Sequence, residues 1–156
     1  DASAFAFPSD DCCGAIKDNF PEYRDAIIRA DGLVIVAPEY NHGYPGVLKS
    51  ILDLLLAEYT HKAAGLVGVS AGPIGGARMV EQLVGVCREL GLIPIKKSIH
   101  FSAVQDVFST EGGSASGGDS AGNLKNEMYR EQVKTFLNEL VWMARALKWG
   151  RENLEK

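Results

Sequence analysis

The sequence predicts an α/β fold, a parallel sheet with helices on both faces, and three observations carry that expectation. Short β-branched apolar runs alternate with longer stretches whose apolar residues recur at three- and four-residue spacing. The runs are apolar throughout instead of alternating, as in strands covered on both faces. Each one ends on proline or small residues and leads into the next helical stretch.

Residues Asp1 to Gly14 follow neither period and read as a loop. Helical character begins at Pro21, a residue suited to a first helical turn, and continues through Tyr23, Ile27 and Ile28 to Ala30. Asp31-Gly32 breaks it. The run Leu33 to Ala37 is the first strand, stopped by Pro38. Pro45-Gly46 opens a second helix carrying Val47, Leu48, Ile51, Leu52, Leu54, Leu55 and Leu56. So many aliphatics exceed one helical face, so burial on two sides is expected. Gly65 to Val69 is the second strand, followed by a helix from Ala77 to Leu90 that Gly91 terminates.

The third strand spans Pro94 to Phe101. Lys96, Lys97 and His100 mark it as an edge, where charge deters pairing with other chains. Gly112 to Gly122 is rich in Gly and Ser and reads as a flexible loop. A helix from Asn123 to Lys148 closes the chain, with an inner stripe of Leu124, Met128, Val133, Phe136, Leu140, Ala144 and Leu147. The first strand has inner-strand composition, which calls for a neighbour on each side.

The 156 residues suffice for one domain, and 46% hydrophobic with 23% charged residues is ordinary globular composition. A net charge of −4 without clustered Lys and Arg argues against nucleic acid as a partner. No apolar run reaches the ~20 residues that cross a bilayer, and no leader pattern opens the sequence, so no membrane partner and a cytoplasmic location are expected. Three cysteines, Cys12, Cys13 and Cys87, with no metal-ligand spacing, predict reduced thiols and neither a disulfide framework nor a metal site.

Open α/β sheets bind ligands beyond the carboxyl ends of their strands. Two segments hold such positions. One is Pro38, Glu39, Tyr40, Asn41, His42 and Gly43, running on to Pro45-Gly46; the other is Ser70, Ala71 and Gly72, running through Pro73 and Ile74 to Gly75 and Gly76. Each leaves a strand tip and enters a helix, presenting backbone N–H groups to one crevice. Taken alone, either segment is equally an ordinary strand-to-helix loop. His42 reads first as an exposed loop histidine, and Arg78 as a surface residue.

The run Ala37-Pro38-Glu39-Tyr40-Asn41, then Tyr44-Pro45-Gly46-Val47-Leu48-Lys49, then Asp53, resembles the NADPH-dependent FMN reductase family, which includes quinone, azo-dye and chromate reductases. Ser70-Ala71-Gly72 with Gly75-Gly76 is similar to that family's second flavin loop. The resemblance implies a single flavodoxin-like, FMN-binding domain over residues 1–156. Its first loop would lie along the flavin ring and ribityl chain, and its second at the pyrimidine edge. It implies FMN as cofactor, with NADPH or NADH as electron donor. A two-step hydride relay would serve a small-molecule acceptor: a quinone, an azo compound, a free flavin or a metal ion.

A homodimer or homotetramer is implied as well, with the Leu-rich helix as a candidate interface. The cofactor carries such chemistry, so no catalytic nucleophile or general base is expected. Glycine suits close approach to a flat ligand, free N–H groups suit developing negative charge, and Tyr40 offers an aromatic surface. The alternatives are an electron-carrier or sensory FMN protein without NAD(P)H turnover, and a flavodoxin-like scaffold that binds no flavin. The family's Gly-Ser-x-Arg phosphate loop has no counterpart in the sequence. In the family's strand order 2-1-3-4-5 the three strands correspond to 3, 4 and 5. Strands 1 and 2 are therefore expected on about 40 to 50 further N-terminal residues of the natural protein.

Overall fold

The computed structural model describes residues 20–108 and 124–154. Asp1 to Gly14 with Cys12 and Cys13, and the Gly112 to Gly122 segment, lie outside the described residues. The elements in chain order are α1 (Pro21–Arg29), β1 (Gly32–Pro38), α2 (Gly46–Leu52), a 3-10 turn (Ala57–Tyr59), β2 (Lys62–Val69), α3 (Ala77–Glu89), β3 (Leu92–Phe101), α4 (Val104–Val107) and α5 (Glu127–Asn153). The strands form one parallel sheet in the order β1-β2-β3, so the expected α/β architecture holds.

Side chains on β2 alternate between two cores, as the pleat of a central strand requires. Ala64 and Leu66 join Ile27, Ile35, Leu52, Leu55, Tyr59, Met79, Leu83 and Cys87 on one face, beneath α1, α2 and α3. Ala63 and Val67 join Ile95, Ile99, Phe136 and Leu140 on the other, beneath α5. The Phe136 ring rests on Gly65, where an added Cβ would stand 2.4 Å from Cζ. Cys87 is fully buried, and burial pushes its thiol pKa up to about 11.

Four expectations are corrected. Among the described residues β1 is covered on one face only: Ile35 and Ala37 are buried, but Val34 and Val36 are 46% and 59% exposed. On their side α5 lies over β2 and β3 and approaches β1 at Gly32, whose added Cβ would stand 3.3 Å from that of Ala144.

The Leu-rich helix ends at Leu52, not Leu56. Leu54 and Leu55 turn into the core next to Tyr59, an arrangement that a continued helix would not allow.

β2 begins at Lys62, ahead of the expected Gly65. Lys62 is 6% exposed, and its ammonium donates to the carbonyl oxygens of Ile27 and, at 3.0 Å, Ile28. It thus satisfies carbonyls that the last turn of α1 leaves open. Burial, then Arg151, push the Lys62 pKa down.

α5 starts at Glu127, where the Asn126 side chain accepts the Met128 N–H at 2.9 Å. The inner stripe also differs from the one expected. Leu124 lies outside the helix in a bridge with Phe108, Met128 is exposed, and Tyr129 is buried against Phe101 with ring centroids 4.8 Å apart.

The far end of α5 is tied to the start of the sheet. Arg151 donates to the His61 carbonyl at 2.6 Å and to Asp31 at 2.6 Å, and Lys148 donates to the other Asp31 oxygen at 2.9 Å. The Lys148 hydrogen bond holds the Asp31 pKa below the usual carboxylate range.

Two predictions follow from this packing. Gly65→Ala destabilises the fold by about 1–3 kcal/mol through overpacking. Gly85→Ala, on an exposed helix position where an added Cβ meets nothing within 4 Å, stabilises it by about 0.5–1 kcal/mol. Urea titrations distinguish the two signs. The depressed Asp31 pKa means that its contribution is present above the ordinary value of 3.8 and is lost as pH falls through the lower folded value. Asp31→Asn is therefore less stable than the parent at neutral pH, and the gap closes in acid below that range, as read from denaturation midpoints across pH.

Candidate functional site

β1 and β2 run in parallel with Pro38 opposite Val69, so their carboxyl ends are level. The Glu39 N–H donates to the Val69 carbonyl at 3.2 Å, extending the pairing one residue beyond the strand. The first loop then reverses in a tight turn. Tyr40 and Gly43 exchange two backbone hydrogen bonds at 2.9 and 3.0 Å, with Asn41 and His42 at φ of 48° and 70° between them. Two consecutive positive φ values define a type I′-like turn; Asn is a natural occupant and histidine a less usual one. Gln82 on α3 donates to the His42 carbonyl at 2.7 Å and fixes the turn from outside.

The second loop is built on glycine. Gly75 and Gly76 have φ of 64° and 75°, and both are buried. They fold back onto Gly68, where an added Cβ would stand 2.5 Å from the Gly75 oxygen. A Cβ on Gly75 would in turn meet His100 at 2.8 Å. Ser70 spans the loop, donating to the Gly72 carbonyl and accepting the Gly75 N–H, each at 3.0 Å. Ala103 N–H to the Gly72 carbonyl and Val104 N–H to the Ser70 carbonyl anchor it to the segment after β3.

Between the loops lies a crevice of about 540 Å³ lined by Pro38, Glu39, Tyr40, Asn41, His42, Val69, Ser70, Ala71, Gly72, Pro73, Ile74 and Arg78. Eight of the expected site residues therefore meet in one place: Pro38 to His42 and Ser70 to Gly72. Gly43, Gly75 and Gly76 do not line it. Gly43 closes the first turn, while Gly75 and Gly76 support the second loop from behind.

The sequence reading missed Arg78. Its Nε and Nη2 lie 2.6 and 2.5 Å from Glu39 Oε1, and its Nη1 lies 2.8 Å from His42 Nε2. The Glu39 side chain is 6% exposed and that of Arg78 is 43% exposed. The available signal was that Arg78 opens the helix after one loop while Glu39 opens the other, on adjacent strands. Lys49 and Asp53 of the family-like run pair with each other at 2.6 Å, away from the crevice lining.

Does the crevice suit a flat ligand with hydrogen-bonding edges? Among the described residues, the backbone N–H groups of Asn41, His42, Ala71 and Gly72 have no protein partner. A Cβ added at Gly72 meets nothing within 4 Å, so glycine there leaves open space on the crevice wall. Tyr40 is 63% and Ile74 44% exposed, giving the mouth aromatic and aliphatic surface. Unpaired donors beside uncovered apolar surface fit the ring of a flavin.

An open parallel α/β sheet with its crevice at two adjacent strand tips places the chain in the flavodoxin-like class. The flavoenzyme NAD(P)H:(acceptor) oxidoreductase FerB of Paracoccus denitrificans shares the fold, with a TM-score of 0.65 and 20% identity over 91% of this chain and 78% of that one. The family profile described as NADPH-dependent FMN reductase matches residues 2–106. A 2-hydroxy-1,4-benzoquinone reductase of a Burkholderia species is 32% identical over 130 residues, which cover 78% of this chain and 66% of that protein. An FMN-dependent NADPH-azoreductase of Staphylococcus aureus is 31% identical over 125 residues, 79% of this chain and 65% of that protein. The chain thus spans about two thirds of the length of these curated relatives. It belongs to the NADPH-dependent FMN reductase family.

The ion pair between the loops is open to a double-mutant cycle. Glu39→Gln and Arg78→Gln are expected to couple by about 0.5–3 kcal/mol in unfolding free energy. Purely additive effects would show that the loops are held without it.

Proposed function

We propose that this chain forms the ring-binding crevice of an FMN-dependent reductase that draws electrons from NADPH or NADH and reduces small acceptors such as quinones, azo compounds, flavins or metal ions. One observation carries the reading: two strand-tip loops, Pro38–His42 and Ser70–Ile74, line one crevice with unpaired backbone donors and open apolar surface. The relatives named as a benzoquinone reductase and an azoreductase support it.

When bound, FMN would supply the hydride chemistry linking donor to acceptor. The protein's own part is binding and orientation. Pro38 to Asn41 would contact the ring and its ribityl chain, and Ser70 to Gly72 the pyrimidine edge. Free N–H groups of Ala71 and Gly72 are fixed dipoles suited to negative charge developing at that edge. They need little reorganisation, because Ser70 and the buried glycines already hold the loop. The exposed Tyr40 and Ile74 would guide a planar donor or acceptor onto the ring. In the overall reaction NAD(P)H and a proton give NAD(P)⁺, while a quinone gains two electrons and two protons. No side-chain nucleophile is required.

A homodimer or homotetramer in the cytoplasm completes the proposal. Val47, Ile51 and Leu56 of the α2 region are 59%, 36% and 61% exposed, which supports that region as a contact between copies.

The protein expressed from its complete gene is expected to carry FMN, seen as a flavin absorption spectrum, and to oxidise NADPH in the presence of a quinone. A colourless protein that gains no flavin spectrum on addition of FMN would refute the proposal. Flavin without NADPH oxidation would point to an electron carrier instead. Gly72→Val fills the open space in the crevice wall and is expected to weaken FMN binding by about tenfold or more, roughly 1.4 kcal/mol. Fluorescence titration of the FMN-free protein measures it, and circular dichroism checks that the fold is kept.

A further inference from the structure

We propose that Arg78 is the specificity-determining residue by which the crevice selects electron acceptors carrying a negatively charged group, a sulfonate or carboxylate, on the ring; this rests on the reductase reading above.

The charges in the crevice are arranged asymmetrically. Glu39 is the only carboxylate among the lining residues, and its side chain is 6% exposed, whereas the Arg78 side chain is 43% exposed. The carboxylate is withdrawn from solvent, and the guanidinium is the more exposed member of the pair. A ligand entering from solvent therefore meets the positive end of the pair. The unpaired N–H groups of Ala71 and Gly72 add to that bias, and Arg78 stands in the first turn of α3, where the helix dipole is positive.

The guanidinium is also held in position. Nε and Nη2 share Glu39 Oε1, and Nη1 reaches His42 Nε2 at 2.8 Å. Arginine only donates, so His42 Nε2 is the acceptor in this contact. Of the five guanidinium N–H groups, three are engaged there. One further N–H on Nη1 and one on Nη2 have no partner among the described residues, and such donors suit sulfonate or carboxylate oxygens. Because Glu39 and His42 already fix the side chain, little freedom is lost when an anion binds.

Arg78 lines the same crevice as Pro38 to Asn41, the residues assigned to the ring. The charge it reaches is therefore one borne directly by the stacked ring. In NADPH the phosphates are separated from the reacting ring by a ribose, so the acceptor is the better match.

The test uses the FMN-saturated protein from the complete gene, with 1,4-naphthoquinone and its 2-sulfonate as matched probes. The readout is the ratio of kcat/KM for the sulfonate to that for the neutral quinone, in the parent, R78Q and R78K. Differences in reduction potential between the probes cancel when ratios are compared across variants. R78Q is expected to lower the ratio about tenfold, R78K is expected to lower it less, and salt is expected to lower it in the parent.

An unchanged ratio in an active R78Q overturns the inference and leaves the reductase reading standing. So does an effect confined to the KM for NADPH and equal for both quinones. If the parent oxidises no NAD(P)H with either probe, the reading and the inference fail together. Should R78Q not fold, the salt series on the parent decides: a falling ratio supports the inference and a flat one overturns it.

Discussion

The level parallel pairing of β1 with β2 is the constraint on which the site depends. Pro38 stands opposite Val69, and the bond from Glu39 N–H to the Val69 carbonyl carries the pairing past the strand ends. Both chains therefore leave the sheet at the same height and on the same side. Side chains point to opposite faces on successive strand residues, so a shift of one residue would turn Ala63, Ala64, Leu66 and Val67 away from their respective cores. The register is fixed by burial on two faces, and the crevice inherits its geometry from that register.

Glycine converts this register into a crevice by letting the second loop lie on the sheet. Gly68 on β2, then Gly75 and Gly76 at positive φ, place no Cβ of their own where the loop crosses the strand tip. Close backbone contact there lets Ser70 to Ile74 lie against the strand tip. The loop is tied by Ser70 to its own backbone and by Ala103 and Val104 to the end of β3. The tips of β1 and β2 thus line the crevice, and the tip of β3 anchors it from beside.

That construction explains what was legible in the sequence. Strand and helix order, the two loops and the shared crevice were readable, because Pro, Gly and Asn punctuation encodes backbone shape directly. Less was readable where a distant contact overrode a local pattern. The second strand was read from Gly65, yet it begins at Lys62, whose ammonium meets open carbonyls of α1. Leu54 to Leu56 continued a helical pattern, but burying Leu54 and Leu55 beside Tyr59 required the chain to turn. Tyr129 belongs to the inner stripe of α5 by its spacing from Val133 and Phe136, and its burial against Phe101 shows it. The roles of Gly75 and Gly76 also needed coordinates, since glycine looks the same in sequence whether it faces a ligand or supports a loop from behind.

Arg78 is the part of the site that the punctuation could not reveal, and its physics differs from the rest. A main-chain crevice offers dipoles but no net charge, so selection by charge has to come from a side chain. An exposed arginine alone is a poor selector, because its many rotamers must be restricted when it binds. Here a carboxylate withdrawn from solvent supplies the restriction. Glu39 is more strongly attracted to Arg78 because it is poorly hydrated, and it is too buried to present its own charge to an incoming ligand. The pair also bridges the two loops, since Glu39 opens one and Arg78 stands in the first turn of the helix that follows the other. The same contact that orients the guanidinium links the two walls of the crevice, and on the proposed reading it would join charge selection to ring binding in one piece of structure.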